Sequence, residues 1–260
     1  VMGPWIRLAE HLGAFAGQLT DEPILEVNLT YNGAVAKMNT AALNAAILGF
    51  VRAGDHVVCT AVEHNSVRRP LEWLRETKDV RVTYVAAAAD GTVDPADVRR
   101  AMEANGRTSL VVVNHSSNLL GSITPLAAIS EEVKRRGAVL LVDAAQTAGV
   151  LPIDAGALGI DMLAFPGHKA LYGPQGTGGL YISPHLDVEP VIMGGTGSQS
   201  EAVLQPTVRP DRYESGTLNT PGIAGLGKGL DYVLEETPEA IHAREWNLVQ
   251  RMMEGLASIG

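Results

Sequence analysis

The stretch AVLLVDAAQTAGVLPIDAGALGIDMLAFPGHKALYGPQGTGGLYI, residues 138–182, decides how the chain folds. It opens with the apolar run 138–142, typical of a strand that is buried on both faces, and the run ends at Asp143. A second apolar run, 162–165, leads into Pro166-Gly167-His168-Lys169 and a glycine-rich loop. The pattern therefore predicts an acidic and a basic side chain at the ends of neighbouring strands.

These two side chains are the ones that a pyridoxal phosphate site needs. The Lys169 amine can form a Schiff base with the cofactor's aldehyde, and the Asp143 carboxylate can hold a proton on the pyridine nitrogen so that the ring accepts electrons. Taken singly, each residue more often has a simpler role, with Asp143 capping a turn and Lys169 a solvated surface charge. Further tracts of the sequence favour the cofactor site.

Several tracts resemble the class V aminotransferase and cysteine desulfurase family. The resemblance covers nearly the whole chain and is carried by VDAAQ at 142–146, GHKALYGPQG at 167–176, GDHVVCTAVEHNSVRRPL at 54–71, SNLLG at 117–121 and RYESGTLNTPGIAGL at 212–226. It implies a three-layer α/β fold, with a mainly parallel sheet and helices on both faces, like the large domain of fold-type-I pyridoxal phosphate-dependent transferases.

Length and composition fit that expectation. A chain of 260 residues buries roughly 70–75% of its unfolded surface. With 46% hydrophobic residues, 19% charged residues and 28 glycines, the composition is that of an ordinary α/β enzyme.

The composition also argues against several classes of protein. The net charge of −9, without clustered Lys and Arg, argues against nucleic-acid binding. No apolar run approaches the ~20 residues of a spanning helix and no signal peptide is recognisable, so we expect no membrane partner and a cytoplasmic location. No Cys/His cluster has metal-ligand spacing, so no metal is predicted, and the lone Cys59 is expected to be a buried, inert thiol.

Periodicity and turn residues predict the remaining elements. Strands are expected at 24–31, 56–60, 80–86 and 109–114, and helices at 5–16, 39–50, 95–104, 124–137, 223–235 and 240–256. Asp94 is predicted to cap the helix that starts at Pro95.

The helix predicted from Asn39 offers a phosphate site. A helix N-terminus presents unpaired N–H groups and the positive end of a dipole, to which Thr40 could add a hydroxyl. A simpler alternative is that Thr40 only caps the helix. The resembling family carries Asn-x-Thr-x-Ala-Leu-Asn here. Thr40, Ala42, Leu43 and Asn44 match this pattern, whereas Met38 replaces the first Asn and an alanine replaces the family's acidic residue.

The resemblance implies roles for further residues. His64 would lie over the face of the pyridoxal ring and assist proton transfer, while Asn118 and Gln146 would bind the ring's phenolic oxygen. His168 would contact the phosphate or the Schiff base. Thr217 would reach across a dimer interface to bind the phosphate in the partner's site, which implies a homodimer.

One position departs from the family pattern at the phosphate site. The residue two places before His168 usually carries a hydroxyl, and here it is Pro166. We expect one phosphate hydrogen bond to be lost.

The resemblance also predicts how the chain is divided. Residues 1–236 would form the cofactor-binding large domain, with an N-terminal segment missing before Val1, and residues 237–260 a helix leading to an absent C-terminal small domain. In the family the small domain carries the arginine that binds the substrate carboxylate and the nucleophilic cysteine of desulfurases. Cys59 lies in a different tract, so we expect this chain to bind cofactor weakly and to be inactive alone.

The sequence thus predicts a pyridoxal phosphate enzyme resembling cysteine desulfurase, with Lys169, His64 and Asp143 as catalytic residues. L-cysteine would be the substrate and a sulfur-acceptor protein a possible partner. A class V aminotransferase or a selenocysteine lyase would share these residues. A non-catalytic interaction domain that has lost the cofactor is an alternative of another class. A nicotinamide-binding domain is the weakest, because no GxGxxG follows the first strand.

Overall fold

Six strands form one sheet in a computed structural model that describes residues 38–259. The helix predicted at 5–16 and the strand predicted at 24–31 lie outside the described residues. The strands are β1 (His56–Thr60), β2 (Arg81–Val85), β3 (Leu110–Asn114), β4 (Val139–Asp143), β5 (Met162–Pro166) and β6 (Gly178–Ile182). All the strands predicted within the described residues are therefore confirmed, with bounds shifted by one residue at most.

The order of the strands places a crevice where chemistry usually occurs in such sheets. The order is β2-β1-β3-β4-β5-β6, and every pairing is parallel except that of β5 with β6. The chain runs outward from β1 to β2 and then crosses back to β3 on the other side of β1. Parallel sheets bind ligands beyond the carboxyl ends of the strands at such a reversal. Asn114 and Asp143 are the last residues of β3 and β4, and His64 lies in the segment that follows β1.

Helices cover both faces of the sheet. They are α1 (Met38–Phe50), α2 (Asn65–Thr77), α3 (Pro95–Glu103), α4 (Leu126–Arg135), α5 (Thr220–Glu236) and α6 (Pro238–Ala257). The apolar side chains of α1 and α2 pack on one face and those of α3, α4 and α5 on the other. Asp94 caps α3 as predicted, because its side chain accepts a hydrogen bond from the Ala96 N–H at 2.8 Å. The three-layer arrangement is confirmed.

Strand β4 shows why the central strands are apolar throughout. Leu140 and Val142 pack in the core beneath α3, α4 and α5, whereas Leu141 packs in the core beneath α1 and α2. All three are fully buried, because successive side chains of a strand point to opposite faces and both faces are covered. Cys59 is likewise fully buried on β1, as predicted.

Helix α2, strand β6 and the short 3₁₀ helix Asp211–Tyr213 were not predicted, and one alternative is wrong. Helix α2 contains a proline, Pro70, as its sixth residue. Strand β6 follows the glycine-rich loop and pairs antiparallel with β5. The alternative in which Thr40 caps α1 is wrong, since the helix already includes Met38 and Asn39. Thr40 therefore lies within the first turn of the described helix.

None of the helices within residues 38–259 combines the length and apolar character that crossing a bilayer requires. Nor does this part of the chain gather three or more His, Cys, Asp or Glu side chains into a group that could hold a metal ion.

Candidate active site

A cavity of about 800 Å³ opens at the carboxyl ends of the strands. Its walls come from α1 and α2 and from the last residues of β3, β4 and β5 with the segments that follow them. Polar and charged side chains dominate this lining: Asn39, Thr40, Asn44, His64, Asn65, Ser66, Arg69, Asn114, Ser116, Asn118, Asp143, Gln146, His168 and Lys169. Such a cavity is large enough for a cofactor or a drug-sized ligand.

Asp143 is a buried carboxylate at the end of β4. It is only 3% exposed, and its Oδ1 accepts hydrogen bonds from Asn39 Nδ2 and from the Ala145 N–H, both at 2.9 Å. Burial raises the pKa of Asp143, while these two hydrogen bonds and the charges of Lys169 and His64 oppose the rise. A cationic ligand group in the cavity would be strongly attracted to this carboxylate.

Lys169 follows β5, the strand next to β4, and lines the same cavity. It is half-buried, and burial lowers the pKa of its amine, against the opposing attraction of Asp143. A lowered pKa increases the fraction of neutral amine, which is the nucleophilic form.

Two glycines hold the backbone of the segment that carries Lys169. Gly149 has φ +93°, and a side chain there would collide with the Ala170 carbonyl oxygen. Gly229 of α5 lies against the Leu171 carbonyl oxygen in the same way. Only glycine allows so close an approach on both sides. The backbone just after Lys169 is therefore confined between a turn and a helix.

His64 is fixed by the start of α2. As the residue that caps this helix, it accepts a hydrogen bond on Nδ1 from the Ser66 N–H at 3.1 Å. The Ser66 hydroxyl lies 2.8 Å from His64 Nδ1 and 2.7 Å from the Thr40 hydroxyl. Since Nδ1 is an acceptor, the proton of the neutral ring is on Nε2. Thr40, Ser66 and His64 thus form one polar chain along the wall of the cavity.

His168 precedes Lys169 and is exposed at the cavity. Desolvation lowers the pKa of His168, and the ammonium of Lys169 lowers it further. The ring is therefore mainly neutral at pH 7, so that one nitrogen can donate a hydrogen bond and the other can accept one.

The family described as "Aminotransferase class-V" matches residues 26–260. The chain belongs to this family. Members of the class-V family are pyridoxal phosphate enzymes. The resemblance read from the sequence is confirmed.

Curated relatives of this class-V chain are named as cysteine desulfurases. A probable cysteine desulfurase from Pyrococcus abyssi is 36% identical over 230 residues, covering 86% of this chain and 57% of the relative. One from Methanothermobacter thermautotrophicus is 39% identical over 215 residues, covering 80% and 52%. The chain therefore spans about half the length of the curated relatives that it matches.

A solved structure supports the class-V fold. The apo structure of a cysteine desulfurase from Thermococcus onnurineus NA1 matches with a TM-score of 0.87 at 29% identity, covering 98% of this chain and 63% of that one. The predicted fold class, a mainly parallel sheet with helices on both faces, is confirmed.

The cavity brings together most of the residues predicted for a class-V site. Thr40, His64, Asn118, Asp143, Gln146, His168 and Lys169 all line it. Thr217 is exposed and does not line this cavity of the single chain. Its predicted contact with a partner's site stays a prediction, as do the individual roles of the others.

Sequence reasoning missed residues that support the predicted ones. Asn39 binds Asp143, and Ser66 joins Thr40 to His64. Both residues stand in tracts that carry the class-V resemblance, Asn39 beside Thr40 and Ser66 in EHNS. Their contacts join residues that are far apart in sequence, 104 positions for Asn39 with Asp143 and 26 for Ser66 with Thr40, so the local sequence does not predict them. Glu63 was also missed as a buried carboxyl beside His64.

Proposed function

We propose that this chain carries the pyridoxal phosphate site of a cysteine desulfurase-type enzyme, which removes sulfur from L-cysteine. One observation carries the proposal: the Asp143 carboxylate and the Lys169 amine lie at the ends of adjacent strands and line one cavity. The names of the relatives supply the substrate class.

The donor set of the cavity fits the cofactor. Its cationic ring nitrogen would be held by Asp143, its phenolic oxygen by Asn118 and Gln146, and its phosphate by Thr40 and His168. When bound, pyridoxal phosphate supplies an aldehyde for an amine and a ring that withdraws electrons from the substrate. Pro166 lines the cavity without a hydroxyl, so the predicted loss of one phosphate hydrogen bond belongs to this proposal.

The side chains of this chain would divide the work by their environments. Asp143 is buried with two donors on Oδ1, so it keeps a proton on the ring nitrogen by charge attraction. Burial lowers the pKa of Lys169, which increases the fraction of its amine in the neutral, nucleophilic form. His64 is oriented through Nδ1, which leaves Nε2 to move a proton within the cavity.

The proposal is tested by trapping the cofactor on the protein. We expect purified chain with pyridoxal phosphate to show the absorption band of the bound cofactor, and borohydride reduction followed by mass spectrometry to locate the label on Lys169. Lys169→Ala removes both signals, because no other amine lines the described cavity. Lys228→Ala, which changes an exposed lysine paired with Asp231, is the matched control and keeps them.

Failure to take up pyridoxal phosphate would contradict the proposal and favour the non-catalytic interaction domain. A label on another lysine would equally contradict it.

A second measurement addresses the substrate. We expect L-cysteine to change the spectrum of the bound cofactor, while the chain alone releases no sulfide above Lys169→Ala. Sulfide release above that variant would contradict the expected inactivity of this chain alone. A response to selenocysteine or to amine acceptors, but not to L-cysteine, would favour the lyase or the aminotransferase.

Four further features of the protein stay predictions. These are the homodimer, the sulfur-acceptor protein, the cytoplasmic location and the division of the chain at residue 236.

A further inference from the structure

Glu63 is a buried carboxyl that the proposed chemistry does not use. It is 5% exposed, and its Oε1 accepts hydrogen bonds from the Thr60 hydroxyl and from the Asn114 N–H, both at 2.7 Å. Its Oε2 has no hydrogen-bond partner within the described part of the chain. An ionised carboxylate oxygen in that position would be costly, whereas a protonated one is much less so.

The hydrogen bonds of Glu63 join two strand ends around the cavity. Thr60 ends β1 and Asn114 ends β3, and the Asn114 side chain returns a hydrogen bond to the Val62 carbonyl oxygen at 2.7 Å. His64 is the next residue after Glu63, so the backbone from which His64 projects is tied to β3. Asn114 also pairs in register with Asp143.

Within residues 38–259, no cation compensates the charge of an ionised Glu63. Burial raises the pKa of Glu63 to about 8, repulsion from Asp143 adds to the rise, and the Thr60 hydrogen bond opposes it. Burial also raises the pKa of the nearby Cys59 thiol and lowers that of His115, next to Asn114, to about 4. Both of these groups are uncharged at pH 7, which leaves Asp143 as the charge that Glu63 meets.

Asp143 has positive charges near it, whereas Glu63 has none among the described residues. The charges of Lys169 and His64 favour its ionised form, whereas hydrogen bonds do not distinguish the two carboxyls, because each accepts two of them on one oxygen. Two carboxyls in one buried region cannot both ionise at low cost, and the carboxyl beside cations gives up its proton first.

We propose that Glu63 is protonated and uncharged, so that Asp143 is the single negative charge beneath the cavity. Glu63 is also a positioning residue of the site, because its hydrogen bonds tie the backbone of His64 to the end of β3. The inference rests on the proposed function only for its effect on cofactor binding. The protonation of Glu63 is a property of the chain itself.

Infrared difference spectroscopy between pH 6 and pH 9.5 tests the protonation without cofactor. We expect wild type to show a carboxylic-acid carbonyl band that disappears with a midpoint near pH 8, the pKa of Glu63. Glu63→Gln removes the band, Asp143→Asn keeps it, and the exposed Glu76→Gln is the matched control that leaves it unchanged.

Thr60→Val, which is nearly isosteric, removes a donor to Glu63 and moves the midpoint upward by on the order of one pH unit. No band, or a band lost in Asp143→Asn and kept in Glu63→Gln, overturns the assignment. A midpoint that Thr60→Val leaves in place overturns it as well.

Affinity for pyridoxal phosphate tests the positioning. Glu63→Gln keeps the acceptor for Asn114 and is expected to bind within about twofold of wild type, whereas Glu63→Leu leaves that N–H unpaired and weakens binding by about tenfold. Equal affinity of the two variants, or a large loss in Glu63→Gln, overturns the positioning role. Absence of binding in wild type instead contradicts the proposed function and leaves the infrared result to decide the protonation.

Discussion

The middle of the sheet and its carboxyl-terminal edge are built on opposite rules. Residues Leu110, Val111, Val112 and Val113 of β3 are fully buried and apolar, while the next two, Asn114 and His115, are buried and polar. At the same edge Glu63 and Asp143 are buried carboxyls. The middle of the sheet gains stability from packing, and the edge gives up some of it to keep polar groups poised around a cavity. Substitutions in the two regions should therefore fail in different ways.

The largest loss of stability is expected in the middle. Leu141→Ala removes a fully buried side chain between the sheet and the helices α1 and α2, and should lower the free energy of unfolding by about 3 kcal/mol. Urea denaturation measures this. The exposed Leu248→Ala on α6 is the control, with a change within about 0.5 kcal/mol. A loss below 1 kcal/mol for Leu141→Ala would break the contrast between middle and edge.

A smaller loss of stability, together with weaker cofactor binding, is expected at Gly229, which lies against the backbone that follows Lys169. Gly229→Ala forces a methyl group against the Leu171 carbonyl oxygen, so the backbone after Lys169 must shift. We expect about 2 kcal/mol of destabilisation and weaker pyridoxal phosphate binding. Gly255→Ala, in α6 with open space around it, should instead be neutral or stabilising by up to about 1 kcal/mol. Unchanged cofactor binding in Gly229→Ala would show that the lysine segment tolerates displacement.

The smallest effect is a pH dependence at the edge. Burial lowers the pKa of His115 from 6.5 to about 4, so the folded chain binds fewer protons than the unfolded chain between these values. Stability is therefore fully present above pH 6.5 and falls as the pH drops towards 4, by about 1 kcal/mol between pH 6 and pH 5.

His115→Gln should remove this contribution to the slope, and the half-buried His242→Gln should keep it, in urea titrations at a series of pH values. An unchanged slope in His115→Gln would mean that the ring is not buried as a neutral group.

The sequence predicts the middle of the sheet better than the edge. Short apolar runs between turn signals are typical of buried strands, so β1, β3, β4 and β5 were placed almost to the residue. The placement of Asp143 and Lys169 around one cavity followed from the same logic, because adjacent parallel strands end at the same edge.

The supporting contacts at the edge could not be predicted. The hydrogen bond from Asn39 to Asp143 joins residues 104 positions apart, and no local pattern encodes it. Helix α2 was missed because Pro70 and a run of charged residues hide the spacing of Val67, Leu71 and Leu74. The sequence assigned no role to Glu63, since only the fold buries it.

The confinement of the backbone just after Lys169 between Gly149 and Gly229 has a kinetic consequence. A side chain anchored at a fixed point samples only the small volume that its own rotations reach. Any carbonyl compound held within that volume meets the amine at an effective concentration far above that of free lysine in solution, because the entropy of approach has been lost in advance during folding.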